Sequence, residues 1–283
     1  MQSPSVPKPA GAAQRLAAAR AVVAGCLALL LAACGGAPED TYVERPVEGL
    51  YNEALDLLLT GNNALAAAAF DEVERQHPYS LWATRAQLMA AFAHYRYNAY
   101  DEAIFAAKRF IGLHPGHPSV AYAYYLVALC YYERISDVHR DQKMTEFAFE
   151  ALEEVVRRFP ESVYARDAKL KIDLARDHLA GKEMAIGRFY LKRGRYLAAM
   201  NRFRTVVEKY QTTTHVAEAL HRLTEIYLAL GVADEAQATA AVLGYNFPGS
   251  EWYRDSYALL NGQGLAPQED ERSWISRVWS AIF

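Results

Sequence analysis

Cysteine, glycine and proline are all scarce in this chain. Three cysteines in 283 residues cannot make the disulfide framework of a small secreted domain. The 16 glycines and 11 prolines amount to about a tenth of the residues, against ~12% in an average protein. That is poor in turn formers and disfavours an all-β sandwich. The apolar stretch AVVAGCLALLLAA, residues 21–33, is too short to cross ~30 Å of hydrocarbon as a helix. No excess of positive charge exists: 30 Lys+Arg stand against 33 Asp+Glu, a net charge of −3, without the basic footprint of a nucleic-acid binder. No nucleophile elbow, P-loop, HExxH or Gly-rich phosphate loop occurs, so neither catalysis nor a cofactor is expected. His114 and His117 flank Pro115-Gly116, but no Cys or carboxylate pair sits beside them, so they read as a turn and no metal is expected. What the chain does have is 52% hydrophobic residues and 19 tyrosines, ample for a core.

The N-terminus reads as a targeting segment. Lys8, Arg15 and Arg20 precede the short apolar stretch, and no acid accompanies them, the layout of a secretory signal. The segment ends Leu31-Ala32-Ala33-Cys34, which resembles a bacterial lipobox. Residues 1–33 are then a lipoprotein signal peptide and Cys34 the lipidated first residue of the mature chain. An ordinary signal peptide with an incidental cysteine is the alternative. Three acyl chains on Cys34 are expected to hold the protein at a membrane, since two already bind stably. Gly35 in the next position resembles an outer-membrane address. Cys26 leaves with the signal, so Cys130 alone remains and packing must hold the fold. Without the three leader cations the mature chain has 27 basic and 33 acidic residues, a net −6. Residues 34–46 are rich in Gly, Pro and acid and read as a tether.

Beyond the tether the sequence repeats itself. Five segments end alike, at Pro78, Pro115, Pro160, Gln211 and Pro248 or beside them. Each end point lies 12 residues after an alanine: Ala66, Ala103, Ala148, Ala199 and Ala236. Four residues past each alanine come Phe70, Ala107, Leu152, Phe203 and Ala240, and three further on Val73, Phe110, Val155, Val206 and Leu243. Gly61, Gly194 and Gly231, with Asn98 in a fourth repeat, precede the alanine by five, where a helix end favours a left-handed residue. Upstream, Ala54, Ala91, Ala128 and Gly187 are small, and Tyr131, Tyr190 and Tyr227 fill the aromatic position. This is the tetratricopeptide (TPR) pattern. It predicts an all-α solenoid of five helix-pair repeats over 47–262, small residues letting paired helices approach and aromatics filling the gap to the next repeat. Two departures stand out. Repeat three carries extra residues in SDVHRDQK, a charged loop between its helices. Repeat four carries 14 extra residues before Gly187, predicting an extended first helix that Gly181 kinks.

The combination of lipobox, acidic tether and five repeats resembles the BamD (YfiO/ComL) family of outer-membrane assembly lipoproteins. Local matches are Tyr51-Asn52-Glu53-Ala54-Leu55-Asp56, His77-Pro78-Tyr79-Ser80 and the end of the long fourth repeat, Arg188-Phe189-Tyr190-Leu191-Lys192-Arg193-Gly194-Arg195-Tyr196. The resemblance covers residues 34–262. It implies a non-catalytic, lipid-anchored scaffold on the periplasmic face of the outer membrane of a Gram-negative bacterium. Such a subunit of the β-barrel assembly machine binds the POTRA domains of BamA and receives unfolded outer-membrane proteins by a C-terminal signal ending in an aromatic. A lipoprotein adaptor for peptidoglycan enzymes and a pilotin-like chaperone for secretin or pilus assembly are the competing readings; neither accounts for the extended fourth repeat.

Counting from the small residue of each first helix places a substrate-peptide groove on Tyr51, Arg85, Phe92, Tyr95, Arg96, Tyr122, Tyr125 and Tyr132, with Glu48, Leu55, Leu88 and Leu129 beside them. Rings would stack on an apolar-aromatic peptide while Arg85 or Arg96 meets its carboxylate. Packing between repeats by the same rings is the alternative. Lys192, Arg193, Arg195 and Arg202 form a basic cluster in an acidic chain, the expected BamA contact; cations facing the carbonyl end of a helix are the alternative. After a linker from residue 263, Ser273 is positioned to cap a short amphipathic helix. Trp274, Val278 and Ile282 share one face there, widened by Ile275 and Trp279. The helix either caps the solenoid or docks on a partner subunit or the membrane interface.

Overall fold

The repeat pattern is visible first in the turns. In the computed structural model, which describes residues 44–280, the four predicted left-handed positions all have positive φ: Gly61 at 83°, Asn98 at 62°, Gly194 at 67° and Gly231 at 74°. Each closes the first helix of a pair. The leader, Cys34 and nearly all of the tether lie outside the described residues, as do 281–283.

Twelve α-helices occupy the described part of the unit Pro46–Phe283, and no strand occurs among the described residues. Five antiparallel pairs follow one another: α1 (Val47–Leu59) with α2 (Asn63–Gln76), α3 (Leu81–Arg96) with α4 (Tyr100–Leu113), α5 (Val120–Tyr132) with α6 (Lys143–Arg158), α7 (Val163–Leu191) with α8 (Tyr196–Lys209), and α9 (Val216–Ala229) with α10 (Ala233–Asn246). Then come α11 (Glu251–Asn261) and α12 (Trp274–Ser280). From α1 to α11 each helix packs on the next in sequence, and α1, α3, α5 and α7 also touch one another in series. The chain is thus an all-helical solenoid, as the repeat pattern predicts. It exceeds five pairs by α11, which stands where the first helix of a sixth pair would.

Small residues set the helix spacing. Ala54, Ala91, Ala128 and all five repeat alanines are fully buried. Gly187 is the limiting case: a Cβ there would lie 2.5 Å from Cε1 of Phe203. The large members of the pattern, Phe70, Phe110, Leu152, Phe203 and Leu243, are likewise 0% exposed. The core they form divides along the solenoid into four clusters, the largest joining repeats four and five to the tail.

Serine caps restart the solenoid after its proline turns. Ser80, Ser162 and Ser250 accept backbone N–H bonds from Ala83, Ala165 and Tyr253 at 3.0, 3.1 and 3.3 Å. Such a cap contributes about 1 kcal/mol.

The two departures from repeat length meet at one place. Helix α7 has 29 residues and is continuous through Gly181. The glycine admits neighbours: a Cβ on Gly181 would stand 3.2 Å from His215 Nε2 and 3.4 Å from Val138. The loop 133–142 lies along the same stretch. His178 Nε2 bonds the Ser136 carbonyl, and Lys182 Nζ donates to the Arg140 carbonyl at 2.9 Å. Asp177 takes both the N–H and the hydroxyl of Thr214, at 3.1 and 2.8 Å.

The tail folds back. Gln237 Nε2 donates to the Ala266 carbonyl at 2.7 Å and the Gln268 N–H to the Gln237 carbonyl at 3.3 Å. Ser273 caps α12 through the N–H of Ser276 at 3.1 Å. Helix α12 then packs on α10 with Ile275 wholly buried and Trp274 and Trp279 against the same core. The inward face is therefore Ile275 and Trp279 with Trp274. Val278 is not part of that core, and Ile282 lies outside the described residues.

Candidate functional site

The predicted groove residues sit on the first helices α1, α3 and α5, and most of them join into runs of rings. Tyr51 meets Phe70 edge-on at 5.4 Å and tilts against Trp82 at 4.8 Å. Further along, Phe92 stacks on Tyr95 at 6.5 Å and reaches Tyr122 at 6.4 Å. Tyr122 meets Tyr164 at 5.4 Å, and Tyr164 stacks on Tyr125 at 5.3 Å and 27°. This second run crosses three successive first helices, α3, α5 and α7. Tyr132 stands apart from it, under the Lys171 ammonium at 5.3 Å. Apart from the fully buried Phe70, each of these rings is half-buried. They pack repeat against repeat and still present surface, so both roles anticipated for them coexist geometrically.

Carboxylates hold the phenols. Tyr95 donates to Glu133 at 3.3 Å and Tyr125 donates to Asp167. Burial, then the Glu133 charge, pushes the Tyr95 phenol up to about 12. Burial likewise raises Tyr122 and Tyr125, the latter with Asp167 adding to the effect. The bond from Tyr125 in turn holds the Asp167 carboxyl below its usual value. These phenols stay neutral donors throughout the physiological range. Arg85 and Arg96 are exposed, their guanidinium carbons 5.5 Å from the Trp82 ring and 5.9 Å from the Phe92 ring.

Trp82 and Tyr164 are the contributors that counting from the small residues missed. A signal for them exists: Pro78-Tyr79-Ser80-Leu81-Trp82, Pro160-Glu161-Ser162-Val163-Tyr164 and Pro248-Gly249-Ser250-Glu251-Trp252 share one spacing. The capping serine fixes the helix start, and the aromatic two residues on leans toward the preceding first helix. Trp252 does so at the far end, meeting His221 at 5.3 Å with Arg222 over its other side.

The basic cluster divides. Lys192, Arg193 and Arg195 are exposed at the turn between α7 and α8, Arg193 lying 3.6 Å over the half-exposed Phe189 ring. Arg202 lies on α8 and pairs with Glu183 at 3.0 Å. Nearby Arg188 makes a two-pronged bond to Glu218, 3.0 Å on each arm.

Two depressions, of 830 and 710 Å³, lie on α6–α7 and on α2–α4, away from the rings. Their charged walls are tied by Arg176–Glu153 and Arg109–Glu74. His114 and His117 both pack on Phe110, at 5.3 Å, in the turn role read for them. Among the described residues no group of three His, Cys, Asp or Glu is placed to hold a metal ion. No described helix is long and apolar enough to cross a membrane. Cys34 lies outside the described residues.

The sequence model of the YfiO family, described as outer membrane lipoprotein, matches residues 43–243. The chain is similar to the outer membrane protein assembly factor BamD of Caulobacter vibrioides, 55% identical over 87% of this chain and 82% of that protein. It resembles that of Rickettsia prowazekii at 45% over 83% and 93%. The factor of the same name from Neisseria meningitidis serogroup A is 37% identical over 89% and 96%.

Proposed function

The chain belongs to the YfiO family of outer membrane lipoproteins, and on that premise we propose that it is a lipid-anchored scaffold subunit of the outer-membrane β-barrel assembly machine. Its relatives carry the name of outer membrane protein assembly factor across nearly their whole length, so the role of assembly factor is this chain's as well. The finer reading has three parts. Cys34 bears the acyl chains that hold it to the periplasmic face of the outer membrane. The first helices of repeats one to three receive unfolded outer-membrane proteins. The turn at Lys192, Arg193 and Arg195 meets BamA. None of these roles requires catalysis.

The observation that carries the substrate part is the run of half-buried rings from Tyr95 to Tyr125 across α3, α5 and α7. It offers successive stacking faces along one side of the solenoid, beside neutral phenols and two exposed guanidiniums. A photo-crosslinker at position 96 of the full chain tests it. Capture of an unfolded outer-membrane protein fragment there, and not from position 254 on α11, is expected; equal capture at both sinks the groove. For the partner surface, Arg193→Glu with Arg195→Glu should abolish co-purification of BamA at unchanged melting temperature. Intact co-purification removes that assignment. Arg202 is unsuited to the test, since reversing it breaks the Glu183 pair.

A further inference from the structure

Arg85 and Arg96 carry charge that the protein leaves unneutralised. Neither has a carboxylate within 4.0 Å among the described residues; each lies over an aromatic ring instead. Three arginines nearby are paired, Arg109 on α4 with Glu74, Arg134 in the loop after α5 with Asp101 and Arg176 on α7 with Glu153. Arg85 and Arg96 share helix α3. Eleven residues apart, they fall about three turns and ~16 Å apart on one face. Leu88 and Phe92 lie between them on that face, both half-buried. The result is a cation at each end of an apolar strip.

An extended polypeptide rises ~3.3 Å per residue and covers that gap in about five residues. Guanidinium groups recognise carboxylates through paired, charge-assisted hydrogen bonds. We infer that this face takes an extended peptide with two anionic groups, its terminal carboxylate on Arg85 and an acidic side chain four or five residues upstream on Arg96. The polarity follows from the surroundings. Beside Arg85, the Tyr51–Trp82 pair offers a terminal aromatic residue a place to stack. At the other end Glu133, bonded to Tyr95, reduces the local positive potential, so the unopposed cation takes the chain terminus. The inference rests on the reading of this surface as a peptide groove and adds a charge code to it.

The test is fluorescence anisotropy on the full chain in detergent, with a labelled ten-residue apolar peptide ending in Phe and bearing Glu four residues before the end. Two companions carry a C-terminal amide, or Gln for Glu. Each companion should bind roughly tenfold more weakly, the worth of ~1.4 kcal/mol. In Arg85→Gln the penalty for amidation should vanish while that for Gln persists; in Arg96→Gln the reverse. Both side chains are exposed, so both variants should melt with the wild type. Equal binding of all three peptides overturns the two-anion code and leaves the groove standing. Penalties that vanish in the opposite variants overturn the polarity. No binding of any peptide to the wild type removes the groove itself.

Discussion

At the scale of single residues, this fold is controlled by what is missing from side chains. Gly187 leaves room for Phe203 with no margin, a Cβ falling 2.5 Å from the ring. Gly187→Ala should therefore cost about 1–3 kcal/mol, the usual penalty of overpacking, read as a lower urea midpoint at unchanged slope. His221 is a second sensitive point. Its Nδ1 is 2.9 Å from the Ser256 hydroxyl in a buried pair between α9 and α11. Burial, and then the Arg222 charge, lowers its pKa from 6.5. The neutral ring is the folded form, while the unfolded chain takes up its proton near 6.5. The stability this gives is present above that pH and is lost as pH falls toward the folded value. Thermal melts at pH 7.5 and 5.0 should show a larger drop for the wild type than for His221→Gln, which keeps a partner for Ser256 and has nothing to titrate. Equal drops would show that His221 does not contribute.

At the scale of elements, what the sequence made legible and what it hid have separate physical causes. Helix pairs were readable because a small residue facing a large one is a local, periodic requirement, and every repeat alanine is indeed buried. The left-handed turns were readable because only Gly and Asn adopt that backbone cheaply. The ring runs were half readable. Tyr122 and Tyr125 sit where counting from Ala128 puts them, but Tyr164 takes its position from the Ser162 cap, a different origin. The ion pair of Arg202 was not readable because its partner Glu183 is on another helix, 19 residues away, and no local pattern links them. The tail face misled for a third reason. Trp274/Val278 and Ile275/Trp279 have the same helical spacing, and the choice between them is made by docking. The Trp274 N–H donates to Glu235 and its indole to Glu208, at 3.2 and 3.1 Å, while Arg204 covers the ring at 4.0 Å. That orientation drives Ile275 inward. Ile275→Ala should cost about 2–4 kcal/mol, and Val278→Ala much less. Similar losses for both, by chemical denaturation, would mean that α12 is not held in this way.

At the scale of the whole molecule, four core clusters in series make stability a sum over neighbours rather than one cooperative quantity. The cluster of repeats four and five is the largest and is sealed by α11 and α12; the first cluster is closed by α1 alone. Phe70→Ala removes the buried ring of that first cluster and should speed amide hydrogen exchange in α1 to α3 while leaving α8 to α10 protected. Uniform acceleration along the chain would show that the solenoid unfolds as one.

The two insertions that break the repeat length form a single structural unit. The loop of repeat three gives up the Ser136 and Arg140 carbonyls to His178 and Lys182, which exist only because α7 is long. Its Val138 rests where Gly181 has no side chain. Shortening the helix strands the loop, and excising the loop bares the helix. Repeats three and four are therefore not interchangeable modules, and a recombinant solenoid made from this one must carry them across together.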